Sequence, residues 1–144
     1  MRCGSLLGVV LAVAAGCARA PADTTPEGAV ELFLRATDDA SRDPAAAARA
    51  FSLLDPRARE ALRARAARAT SIDGRPLAPE SMLAPSWSPP RFEVETLRAV
   101  PAADGIHASV DVLGVDPAAQ HAKVPVVREG DRWRIVLQIE DPSP

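Results

Sequence analysis

Two periodicities divide the chain. Between about residues 24 and 69 the apolar positions recur every three or four residues, and from Arg91 onward they alternate one by one. The first pattern predicts helices and the second strands. Thr24 to Glu27 reads as a helix start, with threonine at the cap, Pro26 in the first turn and Glu27 three residues after Thr24. Val30, Phe33, Leu34 and Thr37 follow at helical spacing and make one buried face. At "RDP", residues 42–44, Asp43 caps and Pro44 opens an alanine-rich helix that presents Ala47, Phe51 and Leu54. "LDP" at 54–56 repeats the device for a third helix, which runs to about Ala69. Its stripe of Ala58, Leu62, Ala66 and Ala69 separates Arg57, Arg65 and Arg68 from Arg59 and Arg63. Two separated rows make a poor single patch for phosphate or lipid headgroups, so these arginines are read as a solvated face.

Residues 70–90 are the least regular part, apart from one helical turn begun by Pro79. Met82, Leu83 and Trp87 are apolar enough to lie on the core as a lid, and long loops often carry function. Trp87 and Met82, with Trp133 from the last strand, form the candidate ligand mouth, with plain packing as the competing role.

Four strands follow, Phe92 to Val100, Ile106 to Val115, Ala122 to Glu129 and Arg132 to Ile139, joined by turns at "PAADG", "DPAAQ" and "GD". A two-residue turn at Gly130 and Asp131 sets Glu129 opposite Arg132, Val126 opposite Ile135 and Val124 opposite Leu137. Ala122, Val124, Val126, Trp133, Ile135, Leu137 and Ile139 then share one face. A turn near Pro117 adds Ile106, Ala108, Val110 and Val112 to it, and puts His107 opposite Glu129 and His121 opposite Val115. The reading is an α+β domain over residues 26–141, with N-terminal helices packed on the apolar side of a four-stranded antiparallel sheet.

Ahead of the domain, Arg2 and the ten-residue apolar run Leu6 to Ala15 match a secretory signal, since a membrane-spanning helix needs roughly 20 such residues. "AAGC", residues 14–17, resembles the lipobox of bacterial lipoproteins, with Ala14 where leucine is usual. That resemblance implies removal of residues 1–16, acylation of Cys17 and a tether over 17–25. A cleavage after "ARA", residues 18–20, is the alternative, but it would leave Pro21 directly after the scissile bond, where proline blocks cleavage. A Cys3–Cys17 disulfide is excluded by span within a helical segment, roughly 21 Å against a needed Cα separation of about 6 Å. Several acyl chains on one cysteine would hold the protein firmly in a membrane. Ala18, where aspartate would retain a lipoprotein in the inner membrane, points to the outer membrane, facing the periplasm.

Composition narrows the partners. The formal charge of −2 becomes −3 without Arg2, which gives no general attraction to polyanions. With two Trp, three Phe and no Tyr, stacking on bases is poorly supplied, and no nucleic-acid partner is expected. Sixteen of the 17 basic residues are arginine, Lys123 being the exception; alongside abundant alanine this is the usage of a high-GC genome, so arginine number carries no functional weight.

Three helices and an antiparallel sheet that ends in "GDRWRIVL" resemble the cone-shaped fold of the nuclear transport factor two superfamily over residues 26–140, which implies a curved sheet. The chain is similar in particular to small exported proteins of high-GC bacteria that share an arginine-rich helix, a Pro-rich loop and a "VPVVREGDRWRIVL"-like hairpin. No activity comes with that similarity.

Enzymes of the superfamily hold Asp, His or Tyr inside the cone for acid–base work. Here the inward set contains no ionisable residue. His107, Ser109 and Asp111 fall on the opposite face, with His121 and Lys123, and the two histidines lie roughly 27 Å apart in that register, too far to share a metal. Asp38 and Asp39 are adjacent on a helix and point in different directions. No phosphate loop, nucleophile elbow or zinc-spaced cluster is present. The expectation is a lipid-anchored envelope protein with a non-catalytic domain that binds a partner protein or an apolar small molecule, and that uses no cofactor or metal. The alternatives are an isomerase- or dehydratase-type enzyme with His107 or Asp38 in a pocket, and a structural envelope component.

Overall fold

A computed structural model describes residues 22–139. Cys17, the signal segment and most of the tether lie outside the described residues. The elements follow the order α1 (Pro26–Asp39), α2 (Pro44–Ser52), α3 (Pro56–Asp73), two short 3₁₀ turns (Pro79–Met82 and Ala84–Ser86), then β1 (Thr96–Pro101), β2 (His107–Leu113), β3 (His121–Glu129) and β4 (Arg132–Ile135). The strands form an antiparallel sheet in the order β1-β2-β3-β4. The class expected from the sequence, helices followed by a four-stranded antiparallel sheet, is the one observed.

Each helix opens with proline at its first position, where the missing N–H costs nothing. Asp43 accepts from Ala45 N, and Asp55 from Arg57 N and Ala58 N. The first cap is Thr25 rather than Thr24: with Pro26 at the first helical position the cap falls on its predecessor, and Thr25 Oγ1 accepts from Gly28 N at 3.1 Å. Glu27 therefore makes no capping box. Its carboxylate instead reaches β1 and accepts from Ala99 N at 2.9 Å. The third helix runs past Ala69 to Asp73 and ends on Gly74 in the left-handed conformation, φ 69°.

The inner face holds as read. Ala108, Val110, Val112, Val124, Val126 and Ile135 are buried against Val30, Phe33, Leu54 and Leu62. Trp133, Leu137 and Ile139 are half-buried against the same core. Ile106 does not join them: β2 begins one residue later, and Ile106 is 50% exposed.

The β2–β3 register departs from the expectation by two residues. His107 lies opposite Val127 and His121 opposite Leu113, so the expected pairings with Glu129 and Val115 are replaced. The loop between the strands is closed earlier, by Gly114 N donating to Gln120 O and by Asp116, whose backbone carbonyl takes Ala119 N and Gln120 N. A slip of two keeps every side chain on its face, which is why the inner set survives it. It shortens the separation of His107 and His121 to six residues, roughly 20 Å, still beyond a shared metal.

The β3–β4 register is the expected one, with a Gly130–Asp131 turn in which only Gly130 has positive φ, the arrangement of a type II′ turn. β4 is shorter than the alternation suggested. Pro125 O accepts from Val136 N, so the missing N–H of Pro125 also faces this strand and the ladder stops beyond Ile135.

Both sheet edges are blocked. On β4, Trp133 N donates to Asp23 O, Ile135 N to Leu53 O, and Asp55 N to Ile135 O. On β1, Glu27 takes the Ala99 N–H and Pro101 has none to offer.

Candidate functional site

The middle of the sheet's inner face is closed off: Ala108, Val110, Val112, Val124, Val126 and Ile135 are at most 6% exposed, and Val30, Phe33, Leu54 and Leu62 opposite them are fully buried. The best-formed apolar cleft lies to one side, where the end of α1, the start of α2 and the Pro-rich loop meet. It has a volume of about 300 Å³ and is walled by Ala40, Ala47, Leu83, Ala84, Trp87 and Pro89, with Thr37, Ser41, Glu80 and Ser81 as its polar members. The lining is apolar with a few polar groups, and the volume falls at the lower end of the range of small-molecule clefts.

Local sequence explains the walls. Thr37 closes the apolar face of α1, Ala47 stands half-buried beside Ala46, with which the buried face of α2 begins, and the 3₁₀ turns started by Pro79 and Ala84 fold the loop back over both. Trp87 is held edge-on by Phe33 with ring centroids 5.1 Å apart at 72°. Its indole N–H is buried and finds no acceptor among the described residues. Of the three residues read as a ligand mouth, Trp87 lines this cleft. Met82 ends the first 3₁₀ turn and Trp133 sits in β4; both pack on the core and neither is among the cleft's walls. Thr37 and Ala47 were legible only as core positions. Glu80 carried no signal in the sequence, because its place depends on how the loop folds back.

A second constellation lies on the outer face of the sheet. Asp111 is 4% exposed although it faces away from the core. Its carboxylate contacts Lys123 Nζ at 3.0 Å, Arg98 Nη2 at 3.1 Å and His121 Nε2 at 3.2 Å. Arg98 and Lys123 are its direct neighbours in β1 and β3. Hydrogen bonds from Lys123, His121 and Arg98 hold the Asp111 carboxyl well below the usual carboxylate range. The expected register would have set Pro125 opposite Asp111, which hid this row from the sequence.

At the β4 edge Asp23 receives both Arg132, at 3.2 Å, and Arg134, at 2.7 Å, and Arg134 also reaches Glu129 at 3.3 Å. Partial burial pushes the Asp23 carboxyl up, but the hydrogen bonds from Arg134 and Arg132 outweigh it and the net shift is downward. His107 is exposed, with Nδ1 2.6 Å from Asp104 Oδ2, and hydrogen bonds from its backbone and ring lower Asp104 to about 2. Asp38 and Asp39 are exposed at the end of α1. Three of the helix α3 arginines have these partners: Arg59 meets Glu129 of β3, Arg63 meets Glu60 and lies over the Phe51 ring, and Arg65 donates to Ser86 Oγ. Among the described residues no group of three or more His, Cys, Asp or Glu is placed to hold a metal, and no helix is long and apolar enough to cross a membrane.

Fold and cleft together define an α+β domain with a small, laterally placed apolar site. No family model, curated protein or solved structure matches the chain.

Proposed function

We propose that the chain is an exported lipoprotein, anchored through Cys17 to the outer membrane and facing the periplasm, whose domain is a nuclear transport factor two-like cone that binds an apolar small molecule without acting on it. The observation that carries the binding reading is the cleft walled by Trp87, Leu83, Ala40 just after α1 and Ala47 of α2, beside a core whose central residues are buried. The anchor reading is supported by "AAGC" and by Asp23, which is fixed to the β4 edge only six residues after Cys17. That span reaches about 20 Å when extended, so the domain would ride close to the membrane surface. The isomerase or dehydratase alternative needs His107 or Asp38 in a pocket, whereas both are exposed and neither lines the cleft.

The test is titration of the full chain with the neutral probe N-phenyl-1-naphthylamine, followed by fluorescence. Saturable one-site binding is expected, weakened about tenfold or more by Ala84→Trp, which fills the cleft from an exposed position. Absence of saturable binding, or equal binding by the folded variant, would reject the reading.

A further inference from the structure

The cleft's charge specifies more than an apolar occupant. Its one ionisable wall residue is Glu80, half-buried at the second position of the first 3₁₀ turn, and no ion-pair partner for it exists among the described residues. Across the cleft, Thr37 and Ala40 belong to the end of α1. A helix C-terminus carries partial negative charge and is ordinarily complemented by a basic residue. The last turn of α1 has none; it ends instead on Asp38 and Asp39, which have no ion-pair partners among the described residues either. Of the basic residues near these walls along the chain, Arg35 is engaged by Glu31 and Arg49 by Asp43, while Arg42, Arg75 and Arg91 are exposed and do not wall the cleft.

The carboxylate of Glu80 and the partial negative charge at the end of α1 therefore flank an apolar space that Trp87 helps to wall. An indole face attracts a cation by its quadrupole, most strongly where water is partly excluded. A neutral ligand would gain only the apolar contact, and an anion would meet Glu80 and the end of α1 unfavourably. We infer that the cleft selects an organic cation: a ligand with an aromatic or aliphatic body of modest size that carries one ammonium or guanidinium group, placed between Glu80 and the C-terminal end of α1. This rests on the reading of the cleft as a small-molecule site and assigns its ligand class.

Calorimetric titration of the full chain with three ligands of one ring system separates the two claims: 1-naphthylmethylammonium, 1-naphthalenemethanol and 1-naphthoate. The cation is expected to bind about tenfold more tightly than the alcohol, and the alcohol more tightly than the carboxylate. Glu80→Gln is expected to bring cation and alcohol to within about threefold of each other while leaving the alcohol's affinity unchanged. Alcohol binding as tight as the cation, or a cation preference untouched by Glu80→Gln, would overturn the inference and leave the apolar site standing. Failure of all three ligands to bind would remove both.

Discussion

Asp111 and Lys123 stand directly opposite each other on β2 and β3, Oδ1 to Nζ 3.0 Å, on the face of the sheet turned away from the core. Arg128 N donates to Ile106 O, so the even residues of β2 turn their backbone groups toward β3, and Asp111 with Lys123 is a non-hydrogen-bonded pair. Side chains come closest at such pairs. Arg98 completes the row from β1, and His121 approaches diagonally. One buried carboxylate thus ties together three strands.

The row has a pH consequence. Because the Asp111 carboxyl is depressed in the folded chain, its contribution is fully present above the unfolded carboxylate pKa of about 3.9 and is lost as pH falls through the lower folded value. Asp104 and Asp23 are depressed too and share this acid branch. Thermal unfolding should show stability falling steadily from about pH 4 downward. Asp111→Asn should lower the melting temperature by roughly 5 °C at pH 7 and flatten the acid branch. An unchanged acid branch in the variant would show that the row does not contribute.

Trp87 offers a separation of packing from hydrogen bonding. Its ring braces Phe33, while its N–H is buried with no acceptor among the described residues. Trp87→Phe keeps most of the ring contact and removes the unsatisfied donor, so its cost in urea unfolding should be under about 1.5 kcal/mol. Trp87→Ala should cost about 2–3 kcal/mol, since it opens the cleft into the core. Equal costs would mean that the ring does not brace the core.

The anchor is tested through Cys17. In the native host, Cys17→Ser should abolish acyl labelling and lower the protein's share in the membrane fraction, because the acyl chains on Cys17 are the proposed anchor. Absence of label in the unaltered chain, with membrane association the same in both, would reject lipidation.

The sequence by itself determined the local devices. The Thr25–Pro26, Asp43–Pro44 and Asp55–Pro56 steps each begin a helix because proline's fixed φ and missing N–H suit that one position. The parity of apolar residues fixed which side of each strand faces the helices, and the Gly130 turn fixed the last hairpin. These depend on neighbours a few residues apart. What only the tertiary structure decided involves partners distant in sequence. The two-residue slide between β2 and β3 leaves parity intact, so nothing in the apolar pattern could report it, yet it is what sets Lys123 rather than Pro125 beside Asp111. Glu27 read as a cap because its spacing from Thr24 was right; a backbone N–H 72 residues away took it instead. The cleft arises from two helix ends and a loop whose return over them is set by burial of Leu83 and Trp87, a matter of three-dimensional packing that no periodicity encodes.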